Sequence, residues 1–269
     1  MPDLLKSHGT ALSPLPARIS KIAAALFPRS LPAAVILALT EDSNQTKESM
    51  RFWLRPEELL QLDRFSLEKR RREWLGGRVC AKQSLLLHLD LADAKYPLPS
   101  PGDCCVENEE SGRPHLIFTG KRSFEAVEIS ISHSKNHATA LCACRPCGID
   151  IQHPATNLYK VKERFADSKE EETLTASLKS HSPLEQLVML WSAKEAVKKM
   201  LSKNTMPGFH ELILHTISGI EKGGSIFHLT HPQSGHSYPV VTGLLDNGYG
   251  LALCCLEPES LTTTGQPGA

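Results

Sequence analysis

Residues 127–151, VEISISHSKNHATALCACRPCGIDI, decide the fold class. Residues 127–132 alternate apolar and polar side chains strictly, the period of a strand with one buried face. Residues 138–143 read as a second strand. Arg145-Pro146 punctuates, and Gly148-Ile149-Asp150-Ile151 starts a third extended piece. Upstream of this β block, residues 33–40 form an apolar run fit for a buried strand, and residues 56–62 fit one or two helical turns. Residues 66–89 place Leu75, Val79, Leu86 and Leu89 near a helical period, and Gly76-Gly77 weakens that helix while permitting close backbone approach. Residues 96–114 carry several Pro, Gly and acidic residues and read as a loop.

Downstream, residues 158–166 and 168–180 look helical. Ser182-Pro183-Leu184-Glu185 is the clearest helix start: a serine cap, proline at the first helical position and the glutamate of a capping box. That helix is expected to run to about Leu201. Strands return after Pro207-Gly208, with an Asn247-Gly248 hairpin signal before residues 249–255. The order β, helices, three strands, helices, three strands predicts an α+β protein of two similar lobes joined near residues 143–150. The expected division is an N-terminal extension (1–30), an N-terminal lobe (31–144), a C-terminal lobe (145–258) and a frayed tail (259–269). No internal repeat is apparent in the sequence.

The chain has 269 residues with 30 basic and 30 acidic side chains, and this balance argues against coating a long polyanion or an anionic membrane. The zero total hides local charge. Residues 64–82 hold seven basic against two acidic side chains, and residues 163–172 lean acidic. The most apolar early stretch, residues 18–40, is broken by Lys21, Pro28 and Arg29, so it lacks the roughly 20-residue run of a membrane span. Eight cysteines are too sparse for a small disulfide scaffold. With no secretory signal, reduced thiols and a cytosolic location are expected.

Leu184, Leu187, Val188 and Trp191 form one apolar helical stripe, and Glu195 and Lys199 share a face one turn further on. The pair reads either as a solvated i,i+4 couple or as a half-buried functional carboxylate with its lysine. Asp150 lies between isoleucines. It reads either as a strand-end acid facing water or as a buried acid that needs a hydrogen bond, a partner or a metal. If Asp150 and Glu195 converge, two carboxylates with waters suit Mg²⁺. Arg70 to Arg72, Arg78, Lys82, the Gly112-Arg113-Pro114 turn and the strand end Ser132-His133-Ser134 are each bland alone. Together they would offer several donors to phosphate oxygens.

Gly148-Ile149-Asp150, followed about forty residues later by Trp191-Ser192-x-Lys194-Glu195-x-x-x-Lys199, resembles the signature of the 4′-phosphopantetheinyl transferases of the surfactin-synthetase-activating and siderophore type. Residues 73–81, Gly112-Arg113-Pro114, residues 131–134 and Arg164-Phe165 resemble further family motifs in the right order. The resemblance covers roughly residues 50–257. It implies an α+β pseudo-dimer of two lobes, each with helices on a small, mainly antiparallel sheet and with the active site in the cleft between them. It implies transfer of the phosphopantetheine arm of coenzyme A to a serine of an apo acyl or peptidyl carrier protein, with release of adenosine 3′,5′-bisphosphate. By motif position, Asp150 and Glu195 would hold Mg²⁺, with Mn²⁺ as the alternative ion. Lys199 would neutralise the diphosphate, and Glu195 would be the candidate base. Arg70, Arg78, Ser132 and His133 would grip coenzyme A phosphates, and Arg113 would line the nucleotide pocket. Gln152 stands where several bacterial members carry a third acid; its amide oxygen can ligate a metal but cannot serve as a base. The resemblance implies a monomer without nucleic-acid or membrane partners.

Two rival readings remain. Cys142, Cys144, Cys147 and His137 could offer four zinc ligands, although only Cys144 and Cys147 have the CxxC spacing. A non-catalytic coenzyme A-binding relative would be expected to have lost an acid or the lysine, and Asp150, Glu195 and Lys199 are all present.

Overall fold

The computed structural model describes residues 12–39, 52–92, 100–118, 127–202, 206–221 and 224–257. In chain order the main elements are β1 (Leu12–Pro14), α1 (Ala17–Leu26), β2 (Ala33–Ala38), α2 (Pro56–Asp63), α3 (Glu68–Leu91), β3 (Cys104–Asn108) and β4 (Pro114–Phe118). There follow β5 (Glu128–Ser134), β6 (His137–Ala143), β7 (Cys147–Gln152), α4 (Leu158–Val161), α5 (Ser168–Ser177) and α6 (Pro183–Leu201). The chain then adds β8 (Ile213–Glu221), β9 (Gly224–His231), β10 (His236–Leu244) and β11 (Gly250–Cys255). The fold is α+β, with antiparallel pairing in every sheet. One sheet has the order β1-β2-β6-β5, the second β7-β11-β10-β9-β8, and β3 with β4 forms a separate hairpin.

Strand periodicity divides the core. On β2 and β6, Val35, Leu37, Ala138, Ala140 and Cys142 join α3 residues Leu75, Val79 and Leu86 on one face. Ala34, Ile36, Leu141 and Ala143 turn to the other face, toward a core shared with α1, β7 and α6. Gly76 lets α3 sit directly on the sheet: a Cβ there would strike Leu39 and come within 3.1 Å of the Ala138 Cβ. Helix α6 forms with the expected capping box, the Ser182 N–H donating to Glu185 at 2.7 Å.

Three expectations change. Residues 12–30 are built into the fold and are not an extension. β1 pairs with β2, and Ile19, Ala23 and Phe27, spaced at i, i+4 and i+8, are buried against the second core. Residues 1–11 and the expected tail lie outside the described residues. The expected loop of residues 96–114 contains β3 and leads into β4; its short apolar run, Cys104 to Val106, is buried, and Gly112 (φ 83°) closes the turn. Residues 158–166 make a single helical turn and a 3₁₀ turn, with Phe165 fully buried.

Each sheet carries the same buried tie. Lys82 of α3 donates to Glu58 at 2.6 Å and to the Trp53 carbonyl at 2.7 Å. Lys194 of α6 donates to Glu170 at 2.7 Å and to the Phe165 carbonyl at 2.6 Å. In both, the glutamate precedes the lysine by 24 residues and the carbonyl precedes it by 29. Each glutamate also closes the N-terminus of its helix and receives a strand N–H, from Val106 or from Leu214. Lys82 is therefore committed to the core and is not one of the phosphate donors expected on α3.

Candidate active site

The two sheets meet edge to edge at β5 and β7. Ile149, Ile151 and His153 turn their N–H groups away from β11, and an edge strand with unpaired N–H groups needs acceptors. The alternation of β5 supplies them. Ser130, Ser132 and Ser134 share one face, and their hydroxyls accept from Ile149 (3.1 Å), Ile151 (3.2 Å) and His153 (3.0 Å). The constant offset means that the strands run parallel, joined by side chains where a ladder of carbonyls would otherwise stand.

This joint holds Asp150, which is 5% exposed. Its Oδ1 accepts from the Ser132 hydroxyl at 2.8 Å and from Lys199 Nζ at 2.8 Å. Its Oδ2 is buried with no hydrogen-bond partner. Lys199 also donates to the Ile149 carbonyl at 3.1 Å. The close packing of α6 on β7 makes this reach possible, because a Cβ on Gly148 would fall on the Ala196 carbonyl. The signature glycine therefore sets the height of the helix that carries Glu195 and Lys199.

Glu195 is half-buried and pairs along its helix with Lys198 at 2.9 Å. Lys198 also lies 3.8 Å above the Phe209 ring, beside a cluster of Phe165, Trp191 and Phe209. Gln152 turns its amide to the His153 carbonyl at 3.2 Å. His133 stands at the end of β5 with its Nδ1 3.8 Å from Glu73 of α3. Burial lowers its pKa; the Glu73 and Asp150 charges oppose that shift, while those of Lys199 and Lys69 add to it.

The expected arginines divide. Arg70 is exposed on α3. Arg78 is buried with its guanidinium 3.9 Å from the centre of the Trp74 ring. Desolvation pushes its pKa down to about 10 against the opposing pull of Glu58, and its Nε has no hydrogen-bond partner. Arg113 is buried and committed elsewhere, donating to Glu128 at 2.7 Å and to the Met200 carbonyl at the end of α6 at 3.3 Å. It ties the β3–β4 turn to the helix of the second sheet. Arg72 has a buried Nε, and Arg71 pairs with Asp63 at 3.3 Å.

The cysteines do not assemble a zinc site. Cys147 directs its thiol at the Glu128 and Leu141 carbonyls and Cys144 at that of Arg29, while Cys142 is buried in the first core. All eight thiols are free, and among the described residues no group of three or more His, Cys, Asp or Glu could hold a metal. No helix among the described residues is long and apolar enough to cross a membrane.

Sequence reasoning missed the serine ladder, the Glu73–His133 approach and both lysine–glutamate ties. The ladder was visible as alternate serines at 130, 132 and 134. The ties were visible as Glu and Lys 24 residues apart, repeated.

Residues 146–254 match the profile of the 4′-phosphopantetheinyl transferase superfamily. A holo-acyl-carrier-protein synthase of Staphylococcus carnosus (strain TM300) is 33% identical over 87 residues, 32% of this chain and 69% of the relative. A holo-acyl-carrier-protein synthase of Bacillus subtilis (strain 168) is 34% identical over 73 residues, 27% of this chain and 58% of the relative. The profile match spans β7, the Asp150 site and α6, and with these relatives the chain belongs to the 4′-phosphopantetheinyl transferase superfamily.

Proposed function

We propose that this protein transfers the 4′-phosphopantetheine arm of coenzyme A to a serine of an apo acyl or peptidyl carrier protein. The observation that carries the reading is the Asp150 carboxylate, with one oxygen fixed by Ser132 and Lys199 and the other buried without a partner. An orphaned buried carboxylate oxygen is costly unless a ligand completes it. The fit is to a divalent cation that takes few protein ligands, with Asp150 and Glu195 as its holders. Bound there, Mg²⁺ would neutralise diphosphate charge; Gln152 is not counted as a holder.

The residues of the chain then divide the work. Lys199 places its ammonium where diphosphate charge would gather. His133, half-exposed at the end of β5, would donate a ring N–H to a phosphate oxygen. Arg78, desolvated on Trp74, would gain a phosphate counter-charge, and exposed Arg70 would meet phosphate at the rim. In the reaction the carrier serine oxygen bonds to the pantetheine-side phosphorus. The bond from that phosphorus to the adenosine bisphosphate oxygen breaks, and the serine proton passes to Glu195 or to water. Positioning and charge neutralisation dominate such transfers.

We also read the two sheets as related lobes of one pseudo-dimer, divided near residues 144–145. The support is the repeated lysine–glutamate tie, and the matching strand orders β2-β6-β5 and β7-β11-β10. The test is mass spectrometry of apo-carrier proteins incubated with the enzyme, coenzyme A and Mg²⁺. A gain of one phosphopantetheine arm, absent with Asp150→Ala and Glu195→Ala, is expected. No gain on fatty-acid, polyketide or peptide carriers would overturn the proposal.

A further inference from the structure

We infer that Ser132 is a positioning residue that aims the Asp150 carboxylate, and does not itself grip a phosphate. The inference rests on the metal reading above. A serine hydroxyl has one proton to donate. At Ser132 that proton goes to Asp150 Oδ1 at 2.8 Å, and an oxygen lone pair accepts the Ile151 N–H at 3.2 Å. The side chain is buried and held from both sides, so donating to a phosphate would mean releasing Asp150.

The three serines of β5 look alike in sequence but do different amounts. Ser130 and Ser134 each accept one N–H from the β7 edge, and that bond joins the sheets. Ser132 accepts the equivalent N–H and also orients the acid. Its donation matters because Oδ1 has two donors and Oδ2 has none. Without the hydroxyl, only Lys199 would restrain the carboxylate, which could turn to share both oxygens with the ammonium and withdraw Oδ2. When a diphosphate draws on the Lys199 charge, Ser132 becomes the main restraint on Oδ1. Partners that orient a metal ligand are typically worth about 10–100-fold in metal affinity.

The test titrates Mn²⁺ alone into the full chain and counts free ion by electron paramagnetic resonance, with melting temperature measured in parallel. Ser132→Ala is expected to weaken Mn²⁺ at least about tenfold. Ser130→Ala loses only the bond that joins the sheets, and should leave Mn²⁺ affinity within about twofold while lowering the melting temperature by a similar amount. Ser132→Thr and Ser132→Val repeat the comparison at equal packing cost, and Thr should bind Mn²⁺ at least about tenfold more tightly than Val. Equal affinities in the Thr and Val forms, or equal weakening by Ser130→Ala, would overturn the inference. Asp150→Asn separates the two levels. If it leaves wild-type Mn²⁺ binding unchanged, the metal reading fails and the inference falls with it. If it abolishes binding while Ser132→Ala does not weaken it, only the inference fails.

Discussion

Lys194→Met should reveal the first lysine of the signature helix as a stability residue. Its ammonium is fully buried and donates to Glu170 at 2.7 Å, to the Phe165 carbonyl at 2.6 Å and to the Phe209 carbonyl at 3.2 Å. Desolvation lowers its pKa, and the Glu170 charge opposes that shift. Removing the lysine leaves Glu170, 2% exposed, with only the Asp167 and Leu214 N–H groups, and strips a donor from two carbonyls. Breaking one side of such a buried pair costs about 3–5 kcal/mol. At about 2–4 °C per kcal/mol for a chain of this size, a loss near 4 kcal/mol lowers the melting temperature by about 8–16 °C. Calorimetry would measure this, with coenzyme A binding followed at low temperature, where the variant stays folded. The double variant Lys194→Met/Glu170→Gln should recover part of the loss, because the orphaned charge is gone. Lys82→Met should behave alike in the other sheet. A melting temperature within about 2 °C of wild type, or an unchanged one with coenzyme A binding abolished, would refute the structural role.

Lys199→Met removes an ammonium 2.8 Å from Asp150, so Mn²⁺ binding to the ligand-free chain should tighten while coenzyme A binding weakens; calorimetric titration showing both weakened would contradict this. The loss should be larger for coenzyme A than for a pantetheine compound without the diphosphate. Arg113→Met should cost about 2 kcal/mol through the lost Glu128 pair and Met200 contact, read as a lower melting temperature with coenzyme A affinity nearly kept. Burial lowers the pKa of His88, His133, His137, His153 and His228, so the unfolded chain binds more protons than the folded one as pH falls below about 6.5. Stability should therefore decline from pH 7 to 5.5 and be insensitive to these groups above that window; a melting temperature that rises on acidification would reverse the sign.

Much of the secondary structure was legible because it is local. The capping box at Ser182 and the run to Leu201 marked α6 correctly, since a serine cap, Pro183 and Glu185 act within one turn. The alternation of residues 127–132 marked β5 for the same reason. The β3 strand was not legible. Its buried stretch is three residues long, and pairing with β4 stabilises it more than any pattern of its own.

By itself the sequence determined the α+β class, the bounds of the long helices and the residue types of the site, because capping, periodicity and motif spacing are properties of neighbouring residues. Tertiary structure decided what each charged residue does. Arg113 and Lys82 read as phosphate donors in one dimension and Lys194 as one more signature residue, yet each bonds inside the protein to a partner at least 15 residues away. Ser132 was legible as the polar end of a strand, and only the meeting of β5 with β7 placed its proton on Asp150. A buried charge or hydroxyl takes its role from the partner that offsets its desolvation, and that partner is chosen by the packing of distant segments.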